Sequence, residues 1–292
     1  MTLLVTGASG QLGRLVVQAL LERGTPAADV VAVARTPESI SDLADRGVQV
    51  RHADYTDPSS LDAAFAGVDR LLLVSGSEVG QRIAQHANVI DAAKRAGVGF
   101  VAYTSITRAD TTDLLLAAEH RTTEELLVAS GLPHALLRNS WYLENYTAQL
   151  PTYLEHGAVL GAAGEGRVSA ATRADYAEAA AVVLAGEGGH GHEGAVYELG
   201  GDHAFTLGEL AESVGRVSGR EVVYRDLSVA DLTAALVAAS LPEGYAGVLA
   251  DSDRGISEGA LFTDSGDLSR LVGHPTTDLE TALRDALVRS AA

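Results

Sequence analysis

An α/β fold built on a doubly wound parallel sheet of the dinucleotide-binding kind, with a smaller C-terminal α/β lobe, is what this 292-residue sequence predicts. Two observations carry the prediction. Short apolar runs alternate with longer amphipathic ones through the first half, and the first run leads directly into a turn with evenly spaced glycines. Strands that alternate with helices need right-handed crossovers, and a sheet made this way is covered by helices on both faces.

The runs, in order, are LLVTG (3–7), VVAVAR (30–35), VQVRHA (48–53), RLLLVS (70–75), FVAYTS (100–105) and HALLRNS (134–140). Each is short and apolar on both faces, as buried parallel strands require. Between them, Leu12, Leu15, Val16, Ala19 and Leu20 form one helical stripe, and Ile83, Ala87, Ile90 and Ala93 another. After residue 150 the rhythm loosens. VYELGG (196–201) and EVVYRDLS (221–228) read as further strands. Thr206 with Glu209, Ser228 with Asp231 and Thr277 with Glu280 have capping-box spacing. The expected division is a cofactor-binding domain over 1–150 and a mainly substrate-binding lobe over 151–292, with segments returning to the first domain.

Charge narrows the partners. The chain carries 21 Lys and Arg against 39 Asp and Glu, a net charge of −18. Such a surface repels phosphate backbones and anionic lipid, so neither nucleic acid nor a membrane is expected as a partner. The chain has no cysteine, which removes disulfides, thiol nucleophiles and thiolate metal sites together. No apolar run approaches the roughly 20 residues of a membrane span. The opening MTLLVTGASG lacks the basic start and long apolar core of a secretory signal. A cytoplasmic chain is expected, and a homodimer is the assembly to test for.

TGASGQLG places Gly7, Gly10 and Gly13 at three-residue intervals, after a strand and at the opening of a helix. A pyrophosphate needs this arrangement: a tight turn, backbone close enough to touch it, and helix amides aimed at its charge. The whole turn, Thr6, Gly7, Ala8, Ser9, Gly10, Gln11, Leu12 and Gly13, is therefore expected to hold a dinucleotide in a Rossmann-type domain. At the end of the second strand a carboxylate would hold the ribose hydroxyls of NAD, whereas an arginine would pair with a 2′-phosphate. This chain offers Arg35 and no carboxylate there, so NADP(H) is expected, with NADPH preferred over NADH. Asp54 ends the third strand and suits an adenine amino group. Ser75, Gly76 and Ser77 end the fourth, where small residues let the chain pass close to the cofactor. Asn139, Ser140, Trp141 and Tyr142 follow another strand and should face the same crevice.

A general acid is missing. A nicotinamide enzyme that reduces a simple ketone needs a proton donor beside the developing alkoxide. Lys94 is the single lysine, and no tyrosine has a lysine four residues on, so the Tyr/Lys pair of short-chain dehydrogenases cannot be built. The helix after the fifth strand, AEHRTTEELL, carries His120 and Glu124 where related reductases have a lysine. Either the protein does no chemistry, or its reaction tolerates a weak acid, as quinone reduction does.

At this point VTGASGQLG, SEVGQR, QHANVIDAAKRAGV, AYTS, LLRNSWYLENY, AATRADYA, LADSDRG and LVGHPTT align the whole chain with one group. The sequence resembles the NmrA-like branch of the atypical short-chain dehydrogenases, and within it the flavin-free second type of bacterial NAD(P)H:quinone oxidoreductase. The resemblance implies direct hydride transfer from NADPH to a quinone in a two-lobed molecule, with no flavin or metal. It implies that the glycine turn and Arg35 hold the cofactor and that Ser75, Ser77 and residues 139–144 line the nicotinamide side. Ser140 departs from the pattern, which has glycine there, and its hydroxyl is expected to alter the pocket.

The remaining candidates have two readings each. Trp141 and Tyr142 either pack the sheet against the second lobe or wall a flat ring, with the Tyr142 hydroxyl as proton donor. Asn139 either hydrogen-bonds at the strand end or orients the nicotinamide amide or a quinone oxygen. Arg173 pairs with Asp175 or sits near the ligand. His190 and His192 have metal-like spacing in a glycine-rich loop but no third ligand, and a solvated loop is expected. Residues 249–262 are a lid or a connection. NmrA-like proteins include non-catalytic NADP(H)-binding regulators, and that alternative separates from the enzyme on turnover, not on binding. A reductase of another activated acceptor, such as an enone, is a third reading.

Overall fold

The computed structural model describes residues 1–187 and 191–291. Nine strands are formed among them: β1 Leu3–Val5, β2 Val30–Ala34, β3 Gln49–His52, β4 Arg70–Leu73, β5 Phe100–Ile106, β6 His134–Asn139, β7 Ala158–Gly161, β8 Val196–Leu199 and β9 Val223–Asp226. Seven of them make one parallel sheet in the order β3-β2-β1-β4-β5-β6-β8. β7 and β9 pair parallel with each other apart from it. The six apolar runs of the first half and VYELGG enter the large sheet, whereas EVVYRDLS supplies β9 of the small one. β1, β2 and β5 are buried along their whole length, as all-apolar strands in a doubly covered sheet must be, while the polar β3 takes an edge.

Helices Gln11–Glu22, Arg173–Ala185 and Asp267–Val272 cover one face through Val16, Leu20, Tyr176, Val183 and Leu268. Pro58–Phe65, Arg82–Ala96 and Ala117–Ser130 cover the other through Phe65, Val89, Ile90 and Leu127. Arg173–Ala185 is buried almost all round, which its alanine-rich sequence permits, and it starts at a Thr172/Asp175 capping box. Beyond the end of β6, helices Leu150–His156, Leu207–Ser218, Glu243–Ser257 and Leu279–Ala291 gather around β7 and β9 over a second core that includes Leu143, Val159, Leu210, Ile256 and Leu283. Among the described residues no helix is long and apolar enough to cross a membrane.

The structure revises several local expectations. In helix Arg82–Ala96, Ile90 and Ala93 of the predicted stripe face inward, but in its first turn Ile83 is exposed and Arg82, Gln85 and His86 are buried instead. Polar groups that must reach a crevice have overridden the apolar period. The Thr206/Glu209 box forms, but at the last helix Asp278 accepts from the Thr281 amide at 2.8 Å, while the Thr277 amide and hydroxyl turn to Asp175. Residues 249–262 take up regular structure. They are largely the second half of helix Glu243–Ser257 and the turn after it, with Ala250, Ser252, Ile256 and Leu261 buried. β7 has no counterpart in the sequence reading.

Candidate active site

Where the sheet order reverses around β1, a crevice of about 540 Å³ opens at the carboxyl ends of the strands. Its outer floor is the glycine turn. Gly7 has φ +61°, the left-handed region that glycine enters without strain. A Cβ on Gly13 would lie 2.8 Å from the Gly7 carbonyl carbon and 2.9 Å from the Thr6 oxygen, so the helix can meet the strand this closely only with glycine there. Helix Gln11–Glu22 begins after Gly10 with no side-chain cap, which leaves its first amides open to an anion. Gly7, Ser9, Gly10, Gln11, Leu12 and Gly13 line the crevice.

Thr6 and Ala8 do not, which corrects the expectation for both. Thr6 is fully buried; its hydroxyl donates to the Leu72 carbonyl at 3.0 Å and accepts from the Val74 amide at 2.9 Å and the Tyr55 hydroxyl at 2.5 Å. Ala8 is also fully buried, with its amide on the Val33 carbonyl at 3.0 Å. Both hold the turn from behind.

Arg35 stands on the rim with 70% of its side chain exposed and pairs with Glu78 at 3.1 Å. Asp54 lines the wall beside Tyr55. Its carboxylate accepts from the Thr56 amide at 2.8 Å and hydroxyl at 2.7 Å, and these bonds hold it below the usual carboxylate range. Ser75, Gly76 and Ser77 run along the middle. The Ser75 amide donates to the Thr104 hydroxyl at 2.9 Å, the Gly76 amide to His86 Nε2 at 3.1 Å, and Arg82 Nε to the Gly76 carbonyl at 2.6 Å. His86 is buried and uses both ring nitrogens, with Nδ1 2.9 Å from the Thr123 hydroxyl. Because that hydroxyl is spent on the Glu119 carbonyl, Nδ1 carries the proton and Nε2 accepts from Gly76. Burial, with Arg82 nearby, pushes His86 down to about 4, so the ring is neutral.

The inner end is formed by Thr104, Ser105, Ile106, Leu116, His120 and residues 139–142. Asn139 Oδ1 is buried there with no hydrogen-bond partner among the described residues, and its side chain faces the Tyr142 hydroxyl. An orphaned acceptor is costly unless a ligand completes it. Burial raises the Tyr142 phenol, and Asn139 and the Arg173 guanidinium oppose that rise. The Tyr142 ring packs edge-on against Tyr176 and carries Arg173 over its face at 4.4 Å. Ser140 lines the crevice and donates its hydroxyl to the Leu261 carbonyl at 2.8 Å, tying this segment to the second core. Trp141 packs against that core while lining the crevice.

Arg173 also lines it and pairs with Glu144 at 3.5 Å; the pair with Asp175 does not form, because Asp175 closes the capping box. Sequence reasoning missed Tyr55, Arg82, Gln85 and His86 as lining or supporting residues. The one available signal was a polar face at helical spacing directly after SEVG. His192 is buried with both nitrogens engaged, by the Tyr197 hydroxyl at 2.7 Å and the Glu187 carbonyl at 2.9 Å, so the solvated loop expected there is corrected for this residue. His190 lies outside the described residues. Among those described, no group of three side chains is placed to hold a metal.

A family model described as NAD(P)H-binding matches residues 7–187. Quinone oxidoreductase 2 of Escherichia coli strain K12 is 54% identical over 275 residues, 94% of this chain and 95% of that protein. The crystal structure of an Escherichia coli NADPH-dependent quinone oxidoreductase in complex with NADPH superposes with a TM-score of 0.94 at 52% identity, covering 97% of this chain and 99% of that one. Triphenylmethane reductase of a Citrobacter species, solved with NADP(H), gives a TM-score of 0.91 at 40% identity over 97% and 99% of the two chains.

Proposed function

Since the chain belongs to the NAD(P)H-binding family, we propose that it is an NADPH-dependent quinone reductase that passes a hydride directly to the quinone ring. The observation that carries this reading is one crevice joining a phosphate-type turn and an arginine rim at one end to an aromatic and amide wall at the other. The quinone comes from the likeness to quinone oxidoreductase 2. The residues present fit the cofactor: a cradle that a Cβ would fill, uncapped helix amides, a rim arginine and an orphaned amide oxygen.

In this reading the Gly7–Gly13 turn holds the pyrophosphate, Arg35 the 2′-phosphate and Asp54 the adenine edge. Ser75, Gly76 and Ser77 let the chain run close beside the nicotinamide half, and Asn139 Oδ1 takes its carboxamide. Ser140 and Trp141 complete the wall. NADPH, when bound, supplies the hydride. The protein positions the ring against Trp141 and Tyr142 and excludes water from the inner end. The reduced ring is itself phenolic, so protonation from the Tyr142 hydroxyl or water suffices, and no stronger acid is needed. Neither flavin nor metal takes part.

Residues 1–150 with the returning β8 and helix Arg173–Ala185 form the cofactor unit, and most of 151–292 forms the substrate lobe. Cytoplasmic residence and a homodimer belong to the same proposal; cell fractionation tests the first, and light scattering the second.

The test is NADPH consumption by the purified protein with a soluble benzoquinone, beside NADH, a simple ketone and an enzyme-free blank. Saturable oxidation specific to the quinone is expected. NADPH that quenches Trp141 fluorescence while no quinone turns over would instead favour a non-catalytic NADP(H)-binding regulator.

A further inference from the structure

His120 projects from helix Ala117–Ser130 into the inner end of the crevice. Its Nδ1 lies 2.8 Å from the hydroxyl of Tyr103, which is fully buried in β5. Burial raises the Tyr103 phenol, so it keeps its proton, and the imidazole nitrogen is the strongest acceptor in reach. The Thr123 hydroxyl, also near the phenol, is committed to the Glu119 carbonyl at 2.8 Å. The phenol therefore donates to Nδ1, which leaves the ring proton on Nε2. Burial, with the Arg82 and His86 side chains close by, pushes His120 down to about 3, so the ring is a neutral donor and not an imidazolium. With Nδ1 turned to Tyr103 and the side chain lining the crevice, Nε2 makes no hydrogen bond to the described residues and faces the opening.

We propose, resting on the quinone-reductase reading, that His120 Nε2–H donates a hydrogen bond to a carbonyl oxygen of the bound quinone, polarising it and fixing the ring's register against Asn139, with Tyr103 setting the tautomer. His120 keeps its proton throughout. The ring gains two electrons with the hydride, and the balancing proton arrives from Tyr142 or water. The donor matters most as negative charge grows on the oxygen, which is how a neutral imidazole stabilises a developing oxyanion. The chain thus meets the absence of a lysine on this helix with a polarising group instead of an acid.

The experiment combines two arms. In the first, long-range proton–nitrogen spectra of the His120 ring are recorded for the NADP⁺-bound protein with and without a fully substituted benzoquinone, a pair that cannot react. A protonated Nε2 and a bare Nδ1 are expected, with Nε2–H shifting on quinone addition and Tyr103→Phe mixing the tautomers. A proton on Nδ1, or an Nε2 that ignores the quinone while Trp141 fluorescence reports its binding, overturns the proposal. In the second, His120→Leu is expected to lower kcat for the quinone roughly 100-fold with NADPH affinity intact, and His120→Gln, which restores an N–H, to recover most of it. A His120→Leu enzyme as fast as the unsubstituted one overturns the proposal. An unsubstituted enzyme that reduces no quinone overturns the function itself, a result the spectra distinguish because they report the tautomer without turnover.

Discussion

At the outer end of the crevice the groups that face the opening are backbone: amides of an uncapped helix and a glycine turn whose shape is set by the close approach of Gly13 to Gly7. At the inner end they are side chains held by other side chains, His120 by Tyr103 and Asn139 beside Tyr142. Behind them lies a buried ion network. Arg138 bonds Glu124 through Nε at 3.0 Å and a terminal nitrogen at 2.6 Å, and its other terminal nitrogen reaches Glu198 at 3.0 Å; Glu124 also accepts from Ser105 at 2.5 Å. A backbone site is as rigid as the turn that makes it. A side-chain site depends on charges and protons farther back, so it should be easier to disturb from a distance and by acid.

The largest effect should come from Arg138→Met. It strips the guanidinium from the Glu124, Glu198 and Asp110 carboxylates, and breaking a buried pair from one side costs about 3–5 kcal/mol. Urea unfolding measures it. NADPH affinity at the glycine turn should hold once the protein is folded; if it falls in step with stability, the two ends are not independent.

Acid should disturb the inner end next. His86 is held neutral, down to about 4, whereas an unfolded histidine titrates near 6.5. As pH falls the unfolded chain takes up the proton first. The stability gained from the neutral ring is therefore complete above about pH 6.5 and is lost as pH drops toward about 4, by up to about 3 kcal/mol. His120 adds in the same direction. Melting temperatures across that window should fall for the native sequence and fall less steeply for His86→Gln. An unchanged slope would mean that the pH sensitivity lies elsewhere.

The same difference in materials decides what the sequence discloses. The strands of the large sheet, the turn and Arg35 are legible because backbone requirements write themselves as local patterns: apolar runs, glycines at fixed spacing, a cation after a strand. Asn139 to Tyr142 are legible for a related reason, since they follow directly on a recognisable strand. Tyr55, Arg82 and His86 are not, because their roles arise from pairs 19, 6 and 37 positions apart, to Val74, Gly76 and Thr123. Thr6 and Ala8 fail in the opposite sense: they sit inside the motif, yet the Thr6 hydroxyl and the Ala8 amide are spent holding it in place. A motif says where a turn is, and the bonds behind it decide which of its residues can touch a ligand.

Gly13→Ala tests the backbone end. The added methyl has no room against the Gly7 carbonyl, so the helix must shift, at about 1–3 kcal/mol of stability. NADPH affinity, read from Trp141 fluorescence, should weaken at least roughly tenfold, while quinone binding at the inner end is unaffected.

The smallest effects belong to the rim, where backbone gives way to solvated charge. Arg35→Ala should weaken NADPH about tenfold, at the low end for a charged hydrogen bond because so exposed a side chain is screened by salt. NADH affinity should not move, since it has no 2′-phosphate to lose. Glu78 sharpens this further. Its carboxylate occupies Arg35 at 3.1 Å in the structure and would stand close to any phosphate that Arg35 takes up. Glu78→Gln removes that competition and repulsion together, and should tighten NADPH by roughly two- to fivefold at low salt, with the gain fading as ionic strength rises. Titrations at two salt concentrations measure both features. If Glu78→Gln weakens NADPH instead, the carboxylate is orienting Arg35 for the phosphate, not competing for it, and the rim is a preorganised site like the turn beside it.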